Sequence, residues 1–183
     1  MYLNVTQKSR DLLRDYPVVR SVEAAHRAAR RNPLFSWHVT AITHHQQRFV
    51  LFNHDASALC VVLNVTNESA ERLADRFWDQ LATQWPQYGL APADLTTYRQ
   101  VAGDWQINQP GDHRPIHRLN EQGMYVGFLW DQVITSTLEM SLLVAQTPQL
   151  GRQRPAHQVA TIKADLAPQR FVWQRDESKK SSE

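Results

Sequence analysis

The sequence predicts a single α+β domain in which an antiparallel β-meander, about residues 36–63, is covered by amphipathic helices and followed by a mainly helical C-terminal half. Three observations carry that expectation. Ser36–His45, Arg48–His54 and Ala58–Leu63 are closely spaced runs rich in Trp, Val, Thr, Ile and Phe, the residues that strands prefer. Directly after them, Leu73, Phe77, Leu81 and Trp85 recur every four residues and so share one helix face. The chain has 183 residues and a hydrophobic fraction of 42%, enough for one ordinary domain with a sizeable core. Residues 1–173 are assigned to that domain, and Gln174–Glu183 to a polar, disordered tail.

Taken in order, Tyr2–Val5 alternates weakly and reads as a short first strand. Thr6 can cap a helix over about Gln7–Arg14, which Pro17 ends. Ser21 caps a second helix, Val22–Arg31, stopped by Asn32-Pro33 because the residue before proline disfavours the helical region. The meander follows. Its first turn is placed at Gln46-Gln47, or in a four-residue loop of the same register, although neither glutamine favours positive φ. Asn53–Ser57 supplies the second turn, since Asn and Asp can bond their own backbone.

Thr66 or Asn67 caps the clearest helix, Glu68–Trp85. Glu68 and Glu71 in its first turn suit the helix dipole, and Pro86 and Gly89 stop it. Pro92–Tyr98 reads as a short helix, Asp104–Asn108 as a strand and Gln109–His113 as a loop. From Arg114 to Gln146 the pattern is helical but interrupted by Gly123 and Gly127, which predicts two helices or one bent helix. Pro155–Leu166, with Pro at its first turn, reads as the last helix.

Several function classes are disfavoured. The net charge is +2 with a pI near 8.9, a balance that does not by itself point to nucleic acid. Cys60 is the one cysteine, so neither an intramolecular disulfide nor a cysteine zinc cluster can form, and its apolar neighbours make it a core residue. Met1–Val5 is followed by charge rather than a signal peptide's apolar region, and no apolar run approaches a membrane span; a cytoplasmic location and no membrane partner are expected.

Two segments carry a family resemblance. Trp37-His38-Val39-Thr40, then Arg48-Phe49-Val50-Leu51-Phe52-Asn53, Ser57 and Val61-Val62-Leu63 form the first. The second runs from Ile107 through Arg114-Pro115-Ile116-His117-Arg118-Leu119-Asn120-Glu121. Together they resemble an uncharacterised bacterial and phage domain-of-unknown-function family, related to the front of some plasmid-encoded proteins. Ser57 stands where that family has Thr, and Pro115 and His117 interrupt its second motif. The resemblance covers about the first four-fifths of the chain and implies an α+β fold, a setting among mobile elements and no particular activity.

The predicted hairpin pairs His38 with Asp55, Thr40 with Asn53, Ile42 with Leu51 and His44 with Phe49. One face then gathers His38, Thr40, Asn53 and Asp55 at a polar end, with Ser57 just beyond. A His–Asp pair beside a hydroxyl can do acid–base work or hold a metal; alternatively Asn53 and Asp55 shape the turn while His38 donates to a carbonyl. With the residues of the resemblance, the candidate polar site is Trp37, His38, Thr40, Asn53, Asp55, Ser57, Arg114 and Asn120. His44 and His45, adjacent on a strand, should point to opposite faces. His113 and His117 have the i, i+4 spacing of two ligands, but His113 is expected before the helix and no zincin Glu follows. No metal and no cofactor are therefore expected.

Neither a nucleophile elbow nor a P-loop is present, since Gly123-Met-Tyr-Val-Gly127 lacks the Lys and Ser/Thr. Arg20, Arg27 and Arg31 form a basic stripe that could meet phosphates, and Trp105, Trp130 and Trp173 are candidates for stacking. Three functions stay open: a non-enzymatic binding or interaction domain, with a protein partner or a second copy of the chain; a nucleic-acid-associated protein using the arginine stripe; and a small hydrolase centred on His38 and Asp55.

Overall fold

The computed structural model describes residues 1–57, 59–66, 72–111, 113–146, 160 and 162–167. They form one five-stranded sheet in the order β4-β3-β2-β1-β5, with β1 at Tyr2–Val5, β2 at Ser36–His44, β3 at Gln47–His54, β4 at Cys60–Asn64 and β5 at Gln106–Asn108. The meander β2-β3-β4 is antiparallel, as expected. The structure adds that β1 lies parallel to both β2 and β5, which makes the sheet mixed. A parallel neighbour needs a long crossover, and residues 6–35 supply it. They hold a 3-10 helix at Gln7–Leu13, the helix α1 at Val22–Arg31 and a 3-10 turn at Pro33–Phe35.

The expected α1 is found with its cap: Ser21 Oγ accepts from the Ala24 N–H at 3.2 Å. Thr6 precedes the 3-10 helix without a side-chain cap bond, because its hydroxyl is engaged by Thr40 Oγ1 at 2.9 Å across the sheet.

The first hairpin departs from the expected register. Its turn is His45-Gln46, with φ of 45° and 63°, one residue earlier than expected. A two-residue hairpin loop matches the strand twist when both central residues have positive φ, and His tolerates that region better than most side chains. His38 therefore faces Asn53, not Asp55; Thr40 faces Leu51 and Ile42 faces Phe49. Because strand side chains alternate, this two-residue shift leaves every residue on its expected face.

That alternation divides the molecule into layers. One face of the sheet presents Leu3, Val5, Trp37, Val39, Val50, Phe52, Val61 and Leu63, all buried. The helices α2 (Leu73–Gln84) and α3 (Pro92–Ala102) contribute Phe77 and Tyr98 to this face. Phe77 meets Trp37 edge-on at 5.1 Å, Phe52 at 4.8 Å and Trp105 at 5.4 Å. The Trp37 indole N–H donates to Tyr98 Oη at 3.0 Å, and Tyr98 donates to the Leu34 carbonyl at 2.9 Å. The expected amphipathic helix thus lies on the meander with Leu73, Phe77, Leu81 and Trp85 buried; its expected start at Glu68 lies outside the described residues. α3 runs past the expected Tyr98 to Ala102.

The other face is covered by α4, His113–Asp131. Two expectations are corrected here. His113 belongs to the helix rather than to the preceding loop. Gly123 and Gly127 do not break the helix; they let it approach β2. A Cβ on Gly123 would lie 2.9 Å from Ile42 Cγ2, and one on Gly127 3.1 Å from His44 Nδ1. The chain breaks instead after Asp131, at Val133 with φ 64°, before α5 at Thr137–Gln146. α5 closes the β4 edge, where Ser141 Oγ accepts the Val62 N–H at 2.8 Å and so satisfies an edge donor. Of the last expected helix, residues 160 and 162–165 are described as helical, with Ile162 and Leu166 buried; the expected tail lies outside the described residues. Among the described residues no helix is long and apolar enough to cross a membrane.

Phe77 is fully buried at the centre of the aromatic layer, so Phe77→Ala removes packing that the sheet cannot replace. The expected loss is about 3–5 kcal/mol of unfolding free energy in a urea titration; a loss below about 1 kcal/mol would contradict this packing.

Candidate functional site

A row of polar side chains crosses the α4 face of the sheet. The register pairs Asn108 of β5 with Asn4 of β1, Asn4 with His38 of β2, and His38 with Asn53 of β3. All four are buried. Such groups are tolerated inside a protein only when they are hydrogen-bonded. Asn108 Nδ2 donates to Asn4 Oδ1 at 2.8 Å, and Asn4 Nδ2 donates to Ser36 Oγ at 2.9 Å and to Asp55 Oδ2 at 3.3 Å. Asn53 donates to Gln122 Oε1 at 3.1 Å and accepts from Arg118 Nη1 at 3.2 Å, both from α4. Arg118 and Asn53 belong to the two segments that carry the family resemblance, so the fold brings those segments together.

Asp55 organises one end of the row. It stands in the turn after β3, where its N–H donates to the Ser36 carbonyl at 3.0 Å. Its Oδ2 also accepts from Ser36 Oγ, and its Oδ1 from His38 Nδ1, each at 2.5 Å. The expected His38–Asp55 pair is present, although the two residues are not register partners: Asp55 lies opposite Ser36 and reaches His38 diagonally. An ionised carboxylate only accepts hydrogen bonds, so Nδ1 of His38 carries a proton. When the ring is neutral its lone pair is then on Nε2. That nitrogen is buried and has no hydrogen-bond partner among the described residues.

His38 and Asp55, with Asn4, form the floor of a cavity of about 320 Å³. α1 provides one wall through His26, Ala29 and Arg30, and Gly111 and Pro115 close the other side. The walls are tied together: His26 Nε2 donates to the Gln109 carbonyl at 2.6 Å. Gly111 is needed for that approach, since a Cβ there would lie 2.6 Å from the His26 ring. The size is at the lower end of the range for small-molecule sites.

The other expected site residues are dispersed. Trp37 is on the opposite face, in the aromatic core, and Thr40 bonds Thr6. Ser57 donates to His54 Nδ1 at 2.7 Å while His54 Nε2 donates to the Leu34 carbonyl at 2.7 Å, a structural pairing away from the cavity. Asn120 is on the exposed side of α4, and the side chain of Arg114 lies outside the described residues. Arg20, Arg27 and Arg31 are exposed, but Arg20 precedes the Ser21 cap and is not on the helix. Of the candidate stacking residues, Trp105 is core, Trp130 packs edge-on against Phe49 at 5.3 Å, and Trp173 lies outside the described residues. Burial pushes the Cys60 thiol upward, which keeps it protonated and inert as expected.

Asn4, Ser36, His26 and Arg30 escaped sequence reasoning about the site. The available signal was Asn4 itself, a polar residue between Leu3 and Val5 on an apolar strand; its partners are set by long-range pairing.

A family model matches residues 2–157, which include the whole polar row and every residue lining the cavity. The chain belongs to the family Domain of unknown function (DUF6933). No curated protein matches it. Within this DUF6933 chain, Asp55→Asn replaces two acceptor oxygens by one while three donors converge on them. A loss of about 1–3 kcal/mol in urea unfolding is expected, and an unchanged midpoint would contradict Asp55 as the shared acceptor.

Proposed function

We propose that this DUF6933 domain binds a small polar molecule in the cavity beneath α1, and that the molecule donates a hydrogen bond to His38 Nε2. The single observation that carries the reading is that the His38 ring lines the cavity while its buried Nε2 has no hydrogen-bond partner among the described residues. A buried polar atom left without a partner costs about 1–3 kcal/mol. A ligand hydroxyl or amine that reaches this nitrogen as the cavity wall adjusts would remove that cost. Arg30 at the wall supports an anionic group elsewhere on the ligand, so hydroxylated carboxylates and sugar phosphates are the favoured classes.

A second reading has one observation in its favour. The Asp55–His38 hydrogen bond holds the imidazole in the tautomer whose Nε2 can accept a proton, as a general base requires. The group deprotonated would be a water or a ligand hydroxyl, because Ser36 is bonded to Asp55 and is not available as a nucleophile. That arrangement supports a small hydrolase. For a nucleic-acid role, exposure of Arg20, Arg27 and Arg31 is the whole support, whereas the cavity combines concavity, fixed polar groups and a lining imidazole whose buried Nε2 has no partner among the described residues. The family resemblance further supports a bacterial or phage source and a mobile-element setting.

The test is ligand-observed NMR and thermal unfolding against a panel of hydroxy acids and sugar phosphates, with His38→Phe in parallel. At least one compound is expected to bind the native protein and to lose at least tenfold in affinity in His38→Phe, with turnover of that compound separating the hydrolase from the binding domain. If no compound binds, or binding is indifferent to His38→Phe, the reading is wrong.

A further inference from the structure

At the opposite end of β2 from the cavity, three potential metal ligands meet. His44 Nε2 lies 2.8 Å and His45 Nε2 3.1 Å from the same oxygen, Asp131 Oδ1. All three ligand atoms are within 4.8 Å of one another. Two features of the fold create this meeting. Adjacent histidines on a strand would diverge, but His45 lies in the turn with φ 45°, and the two rings come within 4.3 Å of each other. Gly127 admits the His44 ring against α4, one turn before Asp131, the last residue of that helix.

We propose that His44, His45 and Asp131 form a binding site for one divalent transition ion of the zinc class. Two ligand atoms bound tetrahedrally, each about 2.1 Å from an ion, are about 3.4 Å apart. The two nitrogen–oxygen separations, 2.8 and 3.1 Å, fall short of that value by only a few tenths of an ångström, so small side-chain rotations let an ion replace the protons now shared with Asp131 while the backbone stays in place. Two imidazoles and one carboxylate select this class, since magnesium and calcium take oxygen ligands. The carboxylate end of α4 is also the negative end of its dipole, which favours a cation. His45 and Asp131 are exposed, at 70% and 44% of their side chains, so an ion can enter and keep water on its remaining positions. Without an ion, the same groups staple the hairpin tip to α4.

The test is isothermal titration of the full chain with zinc chloride, and with cobalt chloride followed by visible absorption. The variants are His45→Gln and Asp131→Asn; both side chains are exposed, and circular dichroism checks their fold. One ion per chain is expected, with cobalt bands typical of nitrogen and oxygen ligation and an affinity at least tenfold lower in each variant. Absence of stoichiometric binding, or binding that either variant leaves unchanged, would overturn the proposal. A His117→Gln variant, which removes a histidine far along α4, is expected to bind as the native chain does.

Discussion

The Asp55 carboxylate is the point on which the site depends. Its two oxygens accept from Asn4 on β1 and from Ser36 and His38 on β2, while Asp55 itself terminates β3. One residue thus ties three strands at the end of the sheet where the parallel and antiparallel halves join. Taking a carboxylate out of water is costly, and charge-assisted hydrogen bonds from several donors offset that cost. The same bonds orient His38 and decide which of its nitrogens holds the proton. What remains at the cavity floor is an imidazole with one nitrogen satisfied and the other, among the described residues, unmet.

The apolar half of the structure was legible in the sequence because it is local. The three strand runs and the Leu73, Phe77, Leu81 and Trp85 period each announce themselves within about twenty residues, and each is found where the pattern puts it. The His38–Asp55 pair was legible for a subtler reason. The expected turn was one residue late, yet a two-residue change of register keeps every side chain on its face. Face membership, not register, brings His38 and Asp55 together.

The remainder was not legible, for identifiable physical causes. Asn4, Ser36 and Asn108 become neighbours only through parallel pairing of β1 with β2 and β5, across crossovers that leave no local mark. Gly123 and Gly127 read as helix breakers by propensity, whereas close packing on Ile42 and His44 outweighs the cost of glycine within the helix. His45 and Gln46 lack the Asn-Gly signature of a tight hairpin, so their left-handed conformations, and the convergence of His44 and His45 that follows, emerge only in three dimensions.

The most direct measurement is the protonation of the His38 ring, read by NMR on isotope-labelled histidine in the ligand-free protein. The account requires a proton on Nδ1 wherever Asp55 is ionised, with Nε2 bare once the ring is neutral, and requires Asp55→Ala to abolish that preference. A neutral His38 carrying its proton on Nε2 would contradict it.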